Sequence, residues 1–237
     1  MSLEPTIISP SRIAALLECP RKAHESEDIN NMPAFPIGMH VGNLVHAEIT
    51  GHKATTPARL SMDNITPTMR DAKIQAKAMI TAARGFLEDY DILNQEVNVA
   101  TYIEAGGRRF RVGGSIDLIL ERYTDGERYI CDLKTGSRRP RGVWPQLAAY
   151  AFACGGGEQS YLCEGVTKCA VLWIPRQRYR LNDAQPEWEE RPMSEMYRAG
   201  KTMACFAALA MTLPAPTIPS QRACSSCTVE DCVVRWW

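Results

Sequence analysis

The feature that most constrains the fold of this chain is a change in hydrophobic periodicity near residue 94. Residues 96–104 and 108–120 alternate between apolar and polar side chains, with Gly106-Gly107 between them. Alternation with a period of two is typical of strands, and a glycine pair between two such runs indicates a hairpin. Residues 128–134 follow as a third strand after the turn at Asp125-Gly126. The centre of the chain is therefore predicted to form three consecutive antiparallel strands.

In the sequence before and after these three strands, apolar residues recur mostly at helical spacing. The predicted helices cover approximately residues 10–19, 37–50, 67–90, 145–154 and 194–213, and a further buried strand covers 168–174. This order predicts an α/β fold with a central mixed sheet flanked by helices. We expect one domain over residues 1–237, with a helical part at 1–93, a central core at 94–176, and a C-terminal helix and cysteine tail at 177–237.

The composition is that of an ordinary globular protein. Of the 237 residues, 45% are hydrophobic and 23% are charged, which argues against wholesale disorder. No apolar run reaches the length of a transmembrane helix, and residues 1–12 lack the basic and apolar segments of a secretory signal. We therefore expect a cytoplasmic protein with no membrane partner.

Charge is distributed unevenly although Lys and Arg balance Asp and Glu over the whole chain. Residues 100–180 hold 13 basic and 8 acidic side chains, and one of the basic clusters comprises Arg138, Arg139 and Arg141. Basic clusters of this kind suit the phosphate backbone of a nucleic acid. A solvated strand edge is the alternative, and charge alone does not decide between the two.

Two carboxylates and a lysine lie on neighbouring predicted strands. Asp117 follows a glycine pair on the second strand, and Asp132 and Lys134 share one face of the third because they are two residues apart. If the strands pair as expected, Asp117 lies beside Asp132, and converging carboxylates need a cation such as Mg²⁺ or Mn²⁺. Each residue alone could cap a turn or form a surface ion pair. Their combination within apolar strands favours a site in which the lysine holds water or stabilises phosphate charge.

The nine cysteines fall into two groups. Four lie near the ends of the chain, namely Cys19, Cys224, Cys227 and Cys232. In a reducing compartment such thiols are more often metal ligands or free thiols than disulfides. Four thiolates suit an iron–sulfur cluster or structural zinc. A thiol-rich tail without metal is the alternative. The other five lie in apolar stretches and are predicted to be small core residues: Cys131, Cys154, Cys163, Cys169 and Cys205.

Six motifs in order resemble those of a known family. They are Cys19-Pro-Arg-Lys, Gly42-x3-His46, Gly114-x-Ile-Asp117, Asp132-Leu-Lys-Thr-Gly136, Gln146-x3-Tyr150 and the tail Cys-x2-Cys-x4-Cys. The central four are similar to those of RecB-like nucleases in the PD-(D/E)XK superfamily. The terminal two resemble its iron–sulfur branch, which includes the fourth Cas family of CRISPR-associated exonucleases and the AddB nuclease domain.

The resemblance implies a restriction-endonuclease-like core and a role for each matching residue. His46, Asp117, Asp132 and the Leu133 carbonyl would bind Mg²⁺ or Mn²⁺, and Lys134 would orient or activate water. Gln146 and Tyr150 would position the lysine or the DNA backbone. The four terminal cysteines would hold a [4Fe–4S] cluster that ties the two chain ends together.

The function that follows is a divalent-metal-dependent exonuclease acting on single-stranded DNA or on duplex ends. Arg138, Arg139 and Arg141 would bind the DNA backbone. Recombination or repair, phage DNA processing and CRISPR adaptation all fit this activity, with a CRISPR integrase or recombination proteins as possible partners. Two alternatives stay open: a metal-stabilised DNA-binding or adaptor protein with an inactive site, and an endonuclease on the same core.

Overall fold

The structure is a computed structural model. It describes residues 5–18, 35–54, 57, 60–61, 68–136, 142–157, 160–176 and 185–212. Among the helices in these ranges, none has the length and apolar character needed to cross a membrane.

Five helices and eight strands make up the described part of the chain. In order they are β1 (Thr6–Ile8), α1 (Pro10–Glu18), β2 (Phe35–Pro36), α2 (Ile37–Thr50), β3 (Leu60–Ser61), α3 (Met69–Leu87), β4 (Tyr90–Ala105), β5 (Arg108–Arg122), β6 (Arg128–Gly136), α4 (Val143–Cys154), a 3-10 turn (Ser160–Cys163), β7 (Val166–Pro175), β8 (Glu187–Pro192) and α5 (Met193–Thr212). Every helix predicted from periodicity is present within a few residues of its expected bounds.

Six strands form one mixed sheet in the order β1-β5-β6-β7-β8, with β4 on the other edge of β5. The β4–β5 and β5–β6 pairs are antiparallel, which confirms the three predicted consecutive strands. Strand β7 is parallel to β6, and β8 is antiparallel to β7. The structure thus confirms an α/β fold built on a mixed sheet.

Helices cover both faces of this sheet. Helices α2 and α3 pack against one face with the side chains of Leu118, Leu133 and Leu172, which are almost completely buried. Helices α4 and α5 cover the other face and also pack against each other. Gly200 on α5 permits this contact, since a Cβ there would overlap the carbonyl oxygen of Ala148 on α4. The sheet is therefore buried in the middle of a three-layer arrangement.

The strands differ from the prediction at several places, because the short strands β1, β2 and β3 were not expected and two longer strands also differ. Strand β4 begins at Tyr90, within the predicted third helix, because α3 ends at Leu87. Strand β8 was not predicted, since most of its residues are polar and show no apolar alternation. Its Trp188 nevertheless packs against Tyr129 and Tyr90, with ring centroids 5.3 Å apart in both pairs. Backbone pairing with β7 and neighbouring aromatic side chains, and not local periodicity, hold this edge strand in place.

Candidate active site

The candidate site lies at a gap along one edge of β5. Strand β4 pairs with one edge of β5 along almost its whole length. On the other edge β1 pairs with residues 110–112 and β6 pairs with residues 118–121. Residues 113–117 lie between these two partners, and Asp117 stands where β6 begins to pair. The gap leaves room for a side chain to reach the backbone of β6.

Asp117 uses this room to hold the backbone of Leu133. Its Oδ2 accepts a hydrogen bond from the Leu133 N–H at 2.7 Å. A carboxylate thus takes the place of a strand partner for this buried amide, which would otherwise lack a hydrogen bond. Asp117 is 9% exposed, so the charge is held in a largely dry environment. This hydrogen bond fixes the backbone of Leu133, whose carbonyl oxygen lies close to α2.

His46 on α2 contacts both Asp117 and the carbonyl group of Leu133. Its Nε2 lies 3.0 Å from the Leu133 carbonyl oxygen and 3.2 Å from Asp117 Oδ2. Gly42, one turn earlier on the same helix face, makes this approach possible, because a Cβ there would lie 2.6 Å from Thr135 Oγ1. The spacing of Gly42 and His46 therefore reflects the close packing of α2 on β6.

The pKa of His46 is raised above its usual value. Burial by itself lowers this pKa, but the hydrogen bond and negative charge of Asp117, together with the Leu133 carbonyl, outweigh burial. A proton on Nε2 thus sits between an anionic and a neutral oxygen. The position suits any cation that accepts oxygen and nitrogen ligands.

Asp132 and Lys134 form an ion pair on the α4 side of the sheet. Lys134 Nζ lies 2.9 Å and 2.8 Å from the two carboxylate oxygens of Asp132. The Asp132 side chain is 2% exposed, whereas that of Lys134 is 24% exposed. Burial raises the pKa of Asp132 to about 7, and the negative charge of Asp117 adds to the effect against the attraction of Lys134. One lysine therefore leaves the two carboxylates incompletely neutralised.

The residues present fit a divalent metal ion. His46 Nε2, Asp117 Oδ2 and the Leu133 carbonyl oxygen converge on one point, and a buried carboxylate with a raised pKa stands beside them. Oxygen ligands with one imidazole suit Mg²⁺ or Mn²⁺. A cation here would relieve the repulsion between Asp117 and Asp132.

Glu96 on β4 also belongs to this cluster, although the sequence analysis did not identify it. One ring nitrogen of His46 and one carboxylate oxygen each from Glu96 and Asp117 lie within 4.8 Å of one another. Glu96 Oε2 accepts a hydrogen bond from Ser115 Oγ at 2.7 Å, and Glu96 Oε1 lies 4.0 Å from His46 Nδ1. The backbone of Glu96 has φ 48°, a conformation that non-glycine residues rarely adopt. No local sequence pattern marks this conformation, so Glu96 resembles any other polar residue of an alternating strand.

Gln146 and Tyr150 lie one turn apart on α4, as their spacing predicts. Gln146 Nε2 donates a hydrogen bond to the Tyr150 hydroxyl at 3.3 Å. Burial and the nearby carboxylates of Asp132 and Asp117 raise the pKa of Tyr150, so its hydroxyl keeps its proton at neutral pH. Gly114 on β5 lies against the tyrosine ring, since a Cβ there would be 3.4 Å from Tyr150 Cε1.

A groove of about 370 Å³ leads away from His46, Leu133 and Lys134. Gly38 and Gly42 of α2 form one wall, where the absence of side chains keeps the groove open. Among its other lining residues are Asn43, Thr135 and Arg176. The groove is thus bounded by polar and basic groups and is open to solvent at the candidate metal site.

Seven residues named in the sequence analysis lie outside the described part of the chain. They are the four candidate cluster ligands Cys19, Cys224, Cys227 and Cys232, and the three candidate DNA-binding residues Arg138, Arg139 and Arg141. Among the five predicted core cysteines, Cys205 is partly exposed and the other four are buried.

Comparison with solved structures gives similarities at low sequence identity. SSO0001 is 12% identical with TM-score 0.46, over 96% of this chain and 85% of that chain. An alkaline exonuclease from Laribacter hongkongensis, LHK-Exo, is 12% identical with TM-score 0.33, over 86% and 89%. Rai1 from Scheffersomyces stipitis is 10% identical with TM-score 0.26, over 87% and 69%. None of these similarities is close enough to assign an activity.

Comparison with protein families gives a clearer result. No curated protein matches the sequence significantly. The family model of the PD-(D/E)XK nuclease superfamily, by contrast, matches residues 7–232, which is nearly the whole chain. The matched region includes the gap in β5, the paired Asp132 and Lys134, and the helix that carries His46. The chain therefore belongs to the PD-(D/E)XK nuclease superfamily.

Proposed function

We propose that this nuclease is a divalent-metal-dependent exonuclease that hydrolyses phosphodiester bonds at DNA ends. The observation that carries the proposal is the convergence of His46 Nε2, Asp117 Oδ2 and the Leu133 carbonyl beside the buried Asp132–Lys134 pair. Family membership supports hydrolysis of a nucleic acid. The choice of DNA ends rests on the resemblance of the motifs to those of RecB-like nucleases.

His46, Asp117, Asp132 and the Leu133 carbonyl would hold Mg²⁺ or Mn²⁺. When bound, such an ion polarises the scissile phosphate and stabilises the leaving oxygen. Asp117 has a second role, because its hydrogen bond to the Leu133 N–H holds the residue whose carbonyl group serves as a ligand. The site is thus organised by the protein before the ion binds.

Lys134 is the residue that would orient the attacking water. Asp132 holds its ammonium group at the rim of the site, where the lysine remains partly exposed to solvent. A water bound there would be aligned with the phosphate, and the positive charge would stabilise the negative charge that develops during attack. Gln146 and the protonated hydroxyl of Tyr150 would position either this lysine or the DNA backbone.

Basic groups would hold the DNA strand. We propose that Arg138, Arg139 and Arg141 bind phosphates without reading base sequence. Such binding weakens with salt, because each neutralised phosphate releases counterions. The groove that leads from His46 past Arg176 provides a second stretch of polar surface for the strand.

We also propose a [4Fe–4S] cluster on Cys19, Cys224, Cys227 and Cys232, with zinc as the alternative. Their spacing and the resemblance to the iron–sulfur branch support it. Protein purified without oxygen is expected to be brown and to contain about four iron atoms per chain. A colourless preparation with one zinc per chain would replace the cluster by a structural zinc site.

The biological setting that we propose is cytoplasmic DNA metabolism. Recombination or repair, phage DNA processing and CRISPR adaptation would each use an enzyme that shortens DNA ends. Recombination proteins or a CRISPR integrase are the partners that these settings suggest. Co-purification of the tagged protein with one of these classes would distinguish among the settings.

The test is digestion of end-labelled linear DNA, single- and double-stranded, beside closed circular DNA. We expect loss of the linear substrates with Mg²⁺ or Mn²⁺, no loss in EDTA, and intact circles. Lys134→Ala is expected to lower the rate at least about 100-fold, because it removes charge stabilisation at the phosphate. Lys201→Ala, at an exposed position on α5, is the matched control and should keep wild-type activity.

Each other outcome has a definite meaning. Cleavage of circles would make the protein an endonuclease. Binding to DNA without metal-dependent cleavage would favour the DNA-binding or adaptor protein with an inactive site. Equal activity of Lys134→Ala and the wild type would overturn the role given to this lysine.

A further inference from the structure

Two cysteines lie at and just beyond the C-terminal end of α4, which is one helical turn past Tyr150. Cys154 is the last residue of α4, and Cys163 is the last residue of the 3-10 turn before β7. Cys154 is 3% exposed and Cys163 is 8% exposed. Both belong to one buried hydrophobic cluster, and their side chains interact with each other.

Both cysteines line one cavity of about 650 Å³ between α4, β7 and α5. Its wall also contains the polar side chains of Thr167, Ser194 and Arg198. A cavity of this size admits a small polar reactant as well as water. Both cysteine side chains are therefore largely buried and border a space that a small molecule can enter.

The two thiols differ in acidity. Interaction with Cys154 lowers the pKa of Cys163, whereas the same interaction and burial raise the pKa of Cys154. Cys163 is also the more exposed of the two, at 8% against 3%. Since a thiolate is the reactive form, we take Cys163 as the nucleophile of the pair and Cys154 as the thiol that follows it. Cys169 lies nearby but contacts Met193, with Sγ 3.5 Å from Sδ.

We propose that Cys154 and Cys163 are a redox modification site that forms an intramolecular disulfide on reaction with a hydroperoxide. The Cys163 thiolate attacks an oxygen of hydrogen peroxide and becomes a sulfenic acid, while hydroxide leaves and is protonated to water. The Cys154 sulfur then attacks the sulfenic sulfur and displaces a second hydroxide, which takes up the thiol proton and leaves as water. Two thiols and one peroxide give one disulfide and two waters.

Closing the bond requires the two sulfur atoms to approach to about 2 Å. Helix α4 is fixed between the sheet and α5, where Gly200 lies against Ala148. The short turn that carries Cys163 is held by fewer contacts and supplies the movement. The disulfide would then tie the end of the helix that bears Gln146 and Tyr150 to the start of β7.

Peptide mapping of the full-length protein tests the proposal directly. Trypsin cleaves after Arg141 and Lys168, and peptide 142–168 contains Cys154 and Cys163 as its two cysteines and no methionine. After reduction, removal of the reductant and brief exposure to hydrogen peroxide, we expect this peptide to lose two hydrogen masses and to resist alkylation. Dithiothreitol should restore both alkylation sites. Peptide 202–222, with Cys205 alone, is the internal control and should remain alkylated.

Single variants separate the two roles. Cys154→Ser should stop the disulfide and leave a sulfenic acid on Cys163 that a dimedone probe captures. Cys163→Ser should leave Cys154 reduced under the same exposure. The proposal is overturned if wild-type peptide 142–168 keeps two alkylated cysteines, or if it gains oxygen without losing two hydrogens. The readout is independent of nuclease activity, so this proposal and the proposed function can fail separately.

Discussion

Removing the negative charge of Asp132 is expected to stabilise the metal-free protein while abolishing its activity. Burial raises the pKa of Asp132 from 3.8 to about 7, so the folded state holds this proton more tightly than the unfolded chain does. Stability attributable to this group is therefore greatest at low pH and falls as the pH rises from about 4 to about 7. Each pKa unit corresponds to about 1.4 kcal/mol.

The change to test is Asp132→Asn, which keeps the shape and the neutral form of the side chain. The raised pKa of Asp132 corresponds to about 4 kcal/mol of lost stability in the wild type at pH 8 and to about 2 kcal/mol at pH 5. These figures are upper limits for the gain, because Lys134 loses its ion pair in the variant. At about 2–4 °C per kcal/mol, the gain at pH 8 is a rise in Tm of up to about 15 °C.

Thermal unfolding in EDTA at pH 5 and pH 8 measures this effect. Asp91→Asn, at an exposed position on β4, is the matched control and should change the Tm little at either pH. Adding Mg²⁺ or Mn²⁺ should then stabilise the wild type more than Asp132→Asn, since the variant offers the ion one carboxylate less. A variant no more stable than the wild type at pH 8, or one with an equal gain at both pH values, would refute the reasoning.

Further predictions concern the ligand histidine and two glycines. Because a proton on His46 competes with the metal ion, the metal affinity of the wild type should fall about tenfold per pH unit below the raised pKa of His46. The His46→Gln variant should bind the metal weakly and with little pH dependence. Isothermal titration calorimetry from pH 5.5 to 8 measures both affinities. Gly200→Ala should lower the free energy of unfolding by about 2 kcal/mol or more, because its Cβ meets the Ala148 backbone. Gly85 lies in α3, and no atom lies within 4 Å of a Cβ added there, so Gly85→Ala should instead raise the free energy of unfolding by about 0.5–1 kcal/mol. Urea unfolding measures both substitutions. Equal effects of the two would contradict the packing described for α4 and α5.

The helices and the three central strands could be predicted because their signals are local. Periodicity located α2 at residues 37–50, and alternation with a glycine pair located the β4–β5 hairpin. The spacing of Asp132 and Lys134 placed them on one face of β6 without any knowledge of the rest of the fold. In each case the residues that determine the structure lie within a few positions of one another.

The tertiary structure alone decided where these residues meet. The gap on β5 exists because β1 and β6, more than 100 residues apart, share one edge of the same strand. The left-handed backbone of Glu96 and the contact between His46 and Leu133 depend on packing between distant segments, which leaves no periodic trace in the sequence. The sequence by itself thus determined which chemical groups the site contains and which elements carry them. Long-range strand pairing and helix packing determined their distances, because those contacts join residues whose separation along the chain is far greater than any local period.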